Sequence, residues 1–207
     1  MPSMPMNNKP ATSSRRRFLQ QTAGTGGLLA ASGLLGNKLL AQSSNPQEPG
    51  IQSYVAPELE VDYWIDANGE PTTFSIEESK GKWVLLKCFQ NWCPGCHKHG
   101  FPMLQKFSER FHDHPEVAIA AIQTVFEGHN SNTQDAVREL QLRYDLPITM
   151  GHDAGNPETH SLPSTMANYR TGGTPWIILI SPSGAVIYNH FHVRPEDIIN
   201  HVAEHVA

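Results

Sequence analysis

Residues 84–96, with the sequence VLLKCFQNWCPGC, decide how this chain is interpreted. They begin with an apolar run that predicts a buried strand and end with two cysteines, Cys93 and Cys96, that lie two residues apart. Apolar residues then recur at helical spacing from 97 to about 114, so the pair is placed at a strand-to-helix turn. The start of a helix favours a thiolate, because unpaired backbone N–H groups and the positive end of the helix dipole face it. The pattern predicts a redox dithiol in which Cys93 is the nucleophile and Cys96 resolves a mixed disulfide.

A second motif, Gly173-Thr174-Pro175, precedes another apolar strand. Together with Trp-Cys-x-x-Cys at 92–96 it resembles the thioredoxin-like superfamily, and within that superfamily the exported TlpA/ResA-like thiol-disulfide oxidoreductases. The resemblance covers residues 56–207. It implies an α/β thioredoxin-like fold, in which helices flank a central mixed sheet and the chain ends in an antiparallel hairpin and a helix. It also implies a cis Thr174-Pro175 peptide against the cysteine pair and a substrate groove formed by Trp92, Pro94, Gly95, Gly173, Thr174 and Pro175.

The rest of this region alternates between strand and helix patterns. The predicted strands are 59–65, 117–125, 146–150, 176–180 and 185–189, and the predicted helices are 133–144 and 195–206. Residues 127–132 and 153–169 show no period and are predicted to be loops.

Residues 1–41 differ in composition from the rest of the chain. Arg15 and Arg16 precede a stretch rich in Gly, Ala and Leu, which is typical of a twin-arginine export signal. The stretch is too weakly apolar to predict a stable membrane span, although an uncleaved anchor is the alternative to a cleaved signal. Residues 42–55 are interpreted as a polar linker before a thioredoxin-like domain at 56–207. We therefore expect a periplasmic or otherwise exported protein.

The charge of the chain after the signal excludes one class of partner. Ten Lys and Arg and twenty Asp and Glu remain there, a net charge of −10. Such a surface repels phosphate backbones, so nucleic acid is not an expected partner. The resemblance implies protein disulfide or dithiol substrates, a membrane or periplasmic thiol electron donor, and no organic cofactor.

Alternative functions use some of the same residues. Cys93-x-x-Cys96-His97 also fits the attachment motif of a c-type haem, which would make the chain an electron-transfer protein. A metal-binding or copper-chaperone thioredoxin-like module is the other alternative, for which His190 and His192 could share a strand face. We predict no metal site. Peroxide reduction is disfavoured, because no Pro-x-x-x-Thr-x-x-Cys motif surrounds Cys93 or Cys88.

Lys87 departs from the pattern of the family. Thioredoxins usually carry a buried acid six residues before the first active-site cysteine, and the exported branch often carries Asn there. A cation at this position would favour thiolates and make the disulfide more oxidising, unless the ammonium reaches solvent while its stem packs in the sheet. A charged His97 would also favour a neighbouring thiolate. The third cysteine, Cys88, is expected to be a small buried core residue. The redox direction stays open at this point.

Overall fold

A computed structural model describes residues 53–191 and 193–206 of the chain. The export signal predicted at 1–41 lies outside these residues. Seven strands form one mixed sheet: β1 Tyr54–Val55, β2 Tyr63–Ile65, β3 Trp83–Phe89, β4 Val117–Val125, β5 Thr149–Ala154, β6 Trp176–Ile180 and β7 Ala185–His190. Their order across the sheet is β1-β7-β6-β3-β4-β5-β2. The predicted thioredoxin-like fold, with its mixed sheet, C-terminal hairpin and closing helix, is confirmed.

The centre of the sheet is formed by its most apolar strands. β3 pairs in parallel with β4, and β4 pairs in parallel with β5, while β6 runs antiparallel to β3 and forms the hairpin with β7. All seven residues of β3 are buried, as expected for a strand that is covered by other elements on both faces. The turn that carries the two cysteines follows β3 directly, so the most deeply buried strand fixes its position.

Helices cover both faces of the sheet. A π-helical turn, Cys96–Gly100, continues into α1 at Phe101–Phe111, and the other helices are α2 Gln134–Arg143, α3 Ser164–Tyr169 and α4 Pro195–Ala203. Helices α1, α2 and α4 pack with Leu85 and Phe89 on one face of the sheet. Residues of α3 and of the segment 56–76 pack with Leu86 and Cys88 on the other face. Since side chains alternate along a strand, Lys87 points to the same face as Leu85 and Phe89.

Side-chain oxygens cap the first turns of α2 and α3. Thr133 caps α2, as predicted, by accepting the N–H of Ala136 at 3.3 Å. The start of α3 is held by a more distant group, the carboxylate of Asp153, which accepts the N–H of Ser164 at 3.1 Å and that of Thr165 at 2.7 Å. The stretch 153–169 was predicted to be a loop, and this prediction is wrong at its end because Asp153 supplies the helix cap from eleven residues away.

Other predicted boundaries also differ from the structure, and the helix predicted at 195–206 ends at Ala203. The strand predicted at 59–65 is limited to β2, because Leu59 and Val61 pack against the core without joining the sheet. The strand predicted at 146–150 begins at Thr149, the first residue that pairs with β4, and continues to Ala154. The helix predicted from 97 to about 114 contains a π-helical turn and ends at Phe111.

The boundary between linker and domain also moves. Tyr54 and Val55 fall in the segment 42–55 that was interpreted as a linker, yet they form β1 and pair with Val186 and Ala185 of β7. The sheet therefore includes residues from Tyr54 onward. Within the part of the chain that the structure describes, no helix is both long enough and apolar enough to cross a membrane.

Candidate active site

Cys93 occupies the N-cap position of the helical segment that follows β3. Its carbonyl oxygen accepts the N–H groups of Cys96 at 3.1 Å and His97 at 3.3 Å. Its Sγ also accepts the N–H of Cys96, at 3.2 Å, in the manner of an N-cap oxygen. A thiolate at this sulfur would gain from the N–H and from the helix dipole, which a neutral thiol would do only weakly. The geometry thus provides the Cys93 sulfur with a backbone N–H donor at the start of a helix.

Cys96 lies one turn further along and is fully buried, whereas Cys93 keeps 6% of its surface exposed. Burial, followed by the hydrogen bond with Cys93, raises the pKa of the Cys96 thiol to about 12. All three cysteines are free thiols in this structure. Of the pair, Cys93 is the thiol that a partner can reach, and Cys96 is held protonated behind it.

The loop before β6 completes the surface around Cys93. The Thr174-Pro175 peptide bond is cis, and the Cys93 thiol donates to the carbonyl oxygen of Thr174 at 3.5 Å. At Gly95, a Cβ would lie 3.2 Å from Cδ of Pro175, so a glycine lets the cysteine turn approach the proline closely. Gly173 has a φ of +144°, a conformation that favours glycine. The structure brings Gly95, Thr174 and Pro175 together beside the thiol, and Gly173 precedes Thr174 in the same loop.

Trp92 directly precedes Cys93 in the chain and is 46% exposed. Its indole N–H donates to Oε1 of Gln90 at 2.6 Å, which fixes the ring. The loop 127–132 packs against the same ring, since a Cβ on Gly128 would lie only 2.8 Å from Nε1 of Trp92. An aromatic surface that is both fixed and half-exposed therefore borders the thiol. Pro94 is also exposed, in the first helical turn.

Asn132 holds the cysteine turn to the loop 127–132. The side chain is buried, its Oδ1 accepts the N–H of Asn91 at 2.6 Å, and its Nδ2 donates to Oε1 of Gln90 at 3.2 Å. Nδ2 also donates to the carbonyl oxygens of Glu127 and Gly128, at 3.2 and 3.0 Å. Sequence reasoning missed this residue because its partners on the cysteine turn are about forty positions away. A buried asparagine in a predicted loop carries no periodic signal.

Lys87 is only 2% exposed, so its ammonium does not reach open solvent as the alternative interpretation required. A Cβ on Gly100 would lie 3.2 Å from Cε and 3.5 Å from Nζ of Lys87, and 3.1 Å from Cβ of Pro175. The ammonium therefore lies below the cysteine turn and next to the proline. Burial lowers the pKa of Lys87 to about 8, and the charges of Cys96, Cys88 and Cys93 as thiolates act in the opposite direction.

His97 is held by groups other than the thiols. Its Nδ1 is hydrogen-bonded to the hydroxyl of Tyr144 at 2.6 Å, and its Nε2 donates to the carbonyl oxygen of Asn91. Its ring also packs on Phe101, with centroids 5.6 Å apart. Both nitrogens are thus occupied, and coordination of a haem iron would require one of these hydrogen bonds to break. The predicted influence of His97 on a thiol stays a prediction.

The metal-binding alternative has no geometric support in the described part of the chain. Among residues 53–191 and 193–206, no three His, Cys, Asp or Glu side chains are grouped so that they could hold an ion. His192, one half of the pair considered above, lies outside these residues.

Sequence and structure comparisons agree with this geometry. The family model described as the AhpC/TSA family matches residues 53–189. The thiol-disulfide isomerase of Corynebacterium glutamicum is 32% identical, with a TM-score of 0.62 over 73% of this chain and 97% of that one. A thioredoxin-like superfamily protein of known structure is 30% identical, with a TM-score of 0.63 over 72% and 94%. The thioredoxin domain of a Bacteroides vulgatus thiol-disulfide oxidoreductase, at 22% identity and a TM-score of 0.55 over 76% of this chain and all of that one, shares the fold.

None of the curated proteins has a sequence that matches this chain. The family model nevertheless covers about two thirds of it, and the two structures at 30% identity or above cover more than two thirds. The chain therefore belongs to the AhpC/TSA family, as a thioredoxin-like oxidoreductase.

Proposed function

We propose that this protein is an exported thiol-disulfide oxidoreductase that reduces or exchanges disulfides in partner proteins through Cys93 and Cys96. The observation that carries the proposal is the position of the Cys93 sulfur. It accepts a backbone N–H at the start of a helix and lies beside the Thr174 carbonyl, while the second thiol is buried one turn away.

The reaction needs only the two thiols. Thiolate Cys93 attacks one sulfur of a partner disulfide, so that a mixed disulfide forms and the other partner sulfur leaves as a thiolate. Cys96 then loses its proton and attacks the Cys93 sulfur, which releases the second partner sulfur. Two electrons pass from the dithiol to the partner, and a Cys93–Cys96 disulfide remains. The reverse sequence oxidises a partner dithiol, and a thiol donor restores the reduced form after each reduction.

The groove proposed for the partner lies between Trp92 and Pro175. The exposed part of the Trp92 ring offers apolar contact to a polypeptide, and the backbone beside Pro175 offers strand-like hydrogen bonds. Gly95 keeps the space between the thiol and the proline free of a side chain. An extended segment laid here would bring its disulfide to the accessible sulfur of Cys93.

Substitution of the cysteines tests the proposal. Cys93→Ser should abolish reduction of insulin disulfides, whereas Cys96→Ser should accumulate a mixed disulfide with a model substrate through Cys93. Cys88→Ala is the matched control, because Cys88 is a buried thiol on the opposite face of the sheet and should not be needed. The proposal fails if Cys93→Ser retains activity, or if Cys93→Ser and Cys96→Ser trap the substrate equally well.

Peroxide reduction is less well supported. If Cys93 were the cysteine of the motif Pro-x-x-x-Thr-x-x-Cys, the motif would require Pro at position 86 and Thr at position 90. These positions hold Leu86 and Gln90. The same variants can be assayed with a hydroperoxide, and we expect turnover of the disulfide substrate to be the faster reaction. The haem alternative predicts an absorbing cofactor attached covalently to the purified protein, and mass spectrometry would detect it.

The proposed export depends on Arg15 and Arg16, which lie outside the described residues. Replacing both by Lys should leave the precursor in the cytoplasm, because the export machinery reads the arginine pair. Arg17→Lys is the matched control and should have a smaller effect. An unchanged exported yield of the double variant would refute this part of the proposal.

A further inference from the structure

A pocket of about 280 Å³ opens beside the proposed groove, on the far side of Pro175 from Cys93. Pro175 is the wall that the pocket and the cysteine turn share. Its Cδ approaches Gly95 next to the thiol, and its Cβ approaches Gly100, which lines the pocket. A partner segment that crosses Pro175 can therefore place one side chain in this pocket while its disulfide meets Cys93.

The lining of this pocket is cationic on a domain whose net charge is strongly negative. It contains Lys87, Lys98, Lys106 and Arg194, which are four of the ten Lys and Arg found after residue 41. No Asp or Glu is among its lining residues. A concentration of positive charge against the sign of the whole domain indicates a site for an anion.

Two of these four charges already have partners. Lys106 pairs with Glu196 at 3.2 Å, and Arg194 pairs with Asp197 at 2.8 Å, in both cases at the exposed rim. Lys87 and Lys98 have no hydrogen-bond or ion-pair partner among residues 53–191 and 193–206. Lys98 is exposed at the mouth of the pocket, but Lys87 is almost completely buried at its inner end.

The buried lysine is the observation that points to a ligand. A buried ammonium without a partner is costly, and an anion that enters from the pocket would supply the missing partner. The volume is below the range of about 300–1,000 Å³ that is usual for small-molecule and cofactor sites, so it suits a single acidic group better than a large ligand.

We propose that this pocket binds a carboxylate that the partner carries close to the disulfide under attack. The inference rests on the proposed function and names its substrate class: disulfides flanked by an acidic residue. The negative surface elsewhere on the domain repels acidic chains, so the pocket selects those partners whose carboxylate lies within reach of Cys93.

Two pairs of substrates test this inference. The first pair is a peptide disulfide with Glu next to its cysteine and the same peptide with Gln. The second pair is oxidised glutathione, which carries free carboxylates, and its carboxyl ester. Initial rates of reduction are measured at low salt for the parent, for the double variant Lys98→Gln/Lys106→Gln, and for the control Lys80→Gln/Lys82→Gln. The control has the same net charge, and Lys80 forms an exposed ion pair with Glu77 much as Lys106 does with Glu196.

We expect the pocket variant to lower kcat/KM for the Glu peptide by about fourfold, since each of the two exposed charges contributes a factor of about two. It should leave the Gln peptide unchanged, and the control should change neither. The same loss for glutathione but not for its ester would extend the site to small carboxylates, whereas a loss confined to the peptide assigns it to polypeptides. If the parent reduces the Glu and Gln peptides equally and the pocket variant matches the control, this inference is wrong while the proposed function stands. Failure to reduce any of the four disulfides would overturn both.

Discussion

Replacing Lys87 by Met should make the protein more stable at neutral pH, although it removes a charge next to the reactive thiols. Burial lowers the pKa of Lys87 from its ordinary value of 10.5 to about 8. At about 1.4 kcal/mol per pKa unit, holding the buried ammonium costs the folded state about 3 kcal/mol near pH 7. Methionine has a similar length and no charge, so it avoids this cost while it fills the same space in the core.

The pH dependence of this gain distinguishes it from better packing. Because the pKa of Lys87 is lower in the folded state, the unfolded chain binds more protons between pH 8 and 10.5. The stability of the parent therefore gains a contribution from Lys87 as the pH rises through this window. The advantage of Lys87→Met should be fully present below pH 8 and should disappear by about pH 10.5.

Urea unfolding of the reduced proteins, measured at several pH values, gives these free energies. Lys82→Met is the matched control, since Lys82 is exposed one residue before β3 and its substitution should change the stability little. The reasoning is refuted if Lys87→Met is no more stable than the parent at pH 7, or if its advantage does not depend on pH.

Three further outcomes are expected. In Lys87→Met, loss of the cation should make the Cys93–Cys96 disulfide more reducing by about 30 mV where a thiolate is populated, as measured by equilibration with a glutathione redox buffer. An unchanged potential would limit Lys87 to packing. Asn132→Ala should lower the free energy of unfolding by about 2 kcal/mol, because its buried polar partners lose their hydrogen bonds. The amide of Asn91 should also exchange its hydrogen faster. Amide protection equal to that of the parent would contradict this expectation. Burial raises the pKa of Cys88 from 9.0 to about 12, so the native thiol keeps a proton that the unfolded chain loses, and stability falls above pH 9. Cys88→Ala should remove about 1.4 kcal/mol of that fall per pH unit, as measured by unfolding at pH 10 and 11. Parallel curves for parent and variant would show that Cys88 does not contribute.

The elements next to the cysteine pair could be predicted from the sequence because their signals are local. The apolar run of β3, the long apolar run of β4 and the helical spacing of α1 each lie within a few turns of chain. The two motifs at 92–96 and 173–175 then placed the site, and the structure brings them together.

The errors arise where a distant partner decides the outcome. Leu59 and Val61 alternate as a strand would, but the pairing of this segment with β5 begins only at Tyr63, so they pack against the core without joining the sheet. Tyr54 and Val55 are too few to show a strand period although both residue types favour strands, and they form β1 by pairing with β7. Asn132 could not be predicted for the same reason, since it hydrogen-bonds the backbone of a turn that is distant in the sequence.

The position of Cys88 has a consequence for how the disulfide is made. Three thiols allow three different pairings in an unfolded chain. In the folded domain the sheet itself separates Cys88, which packs with Leu86 on one face, from Cys93 and Cys96, which pack on the other. A chain that meets an oxidant only after folding can therefore form one intramolecular bridge and no other. Transport of a folded precursor, as the proposed twin-arginine route implies, would deliver the protein to an oxidising compartment with the two incorrect pairings already prevented.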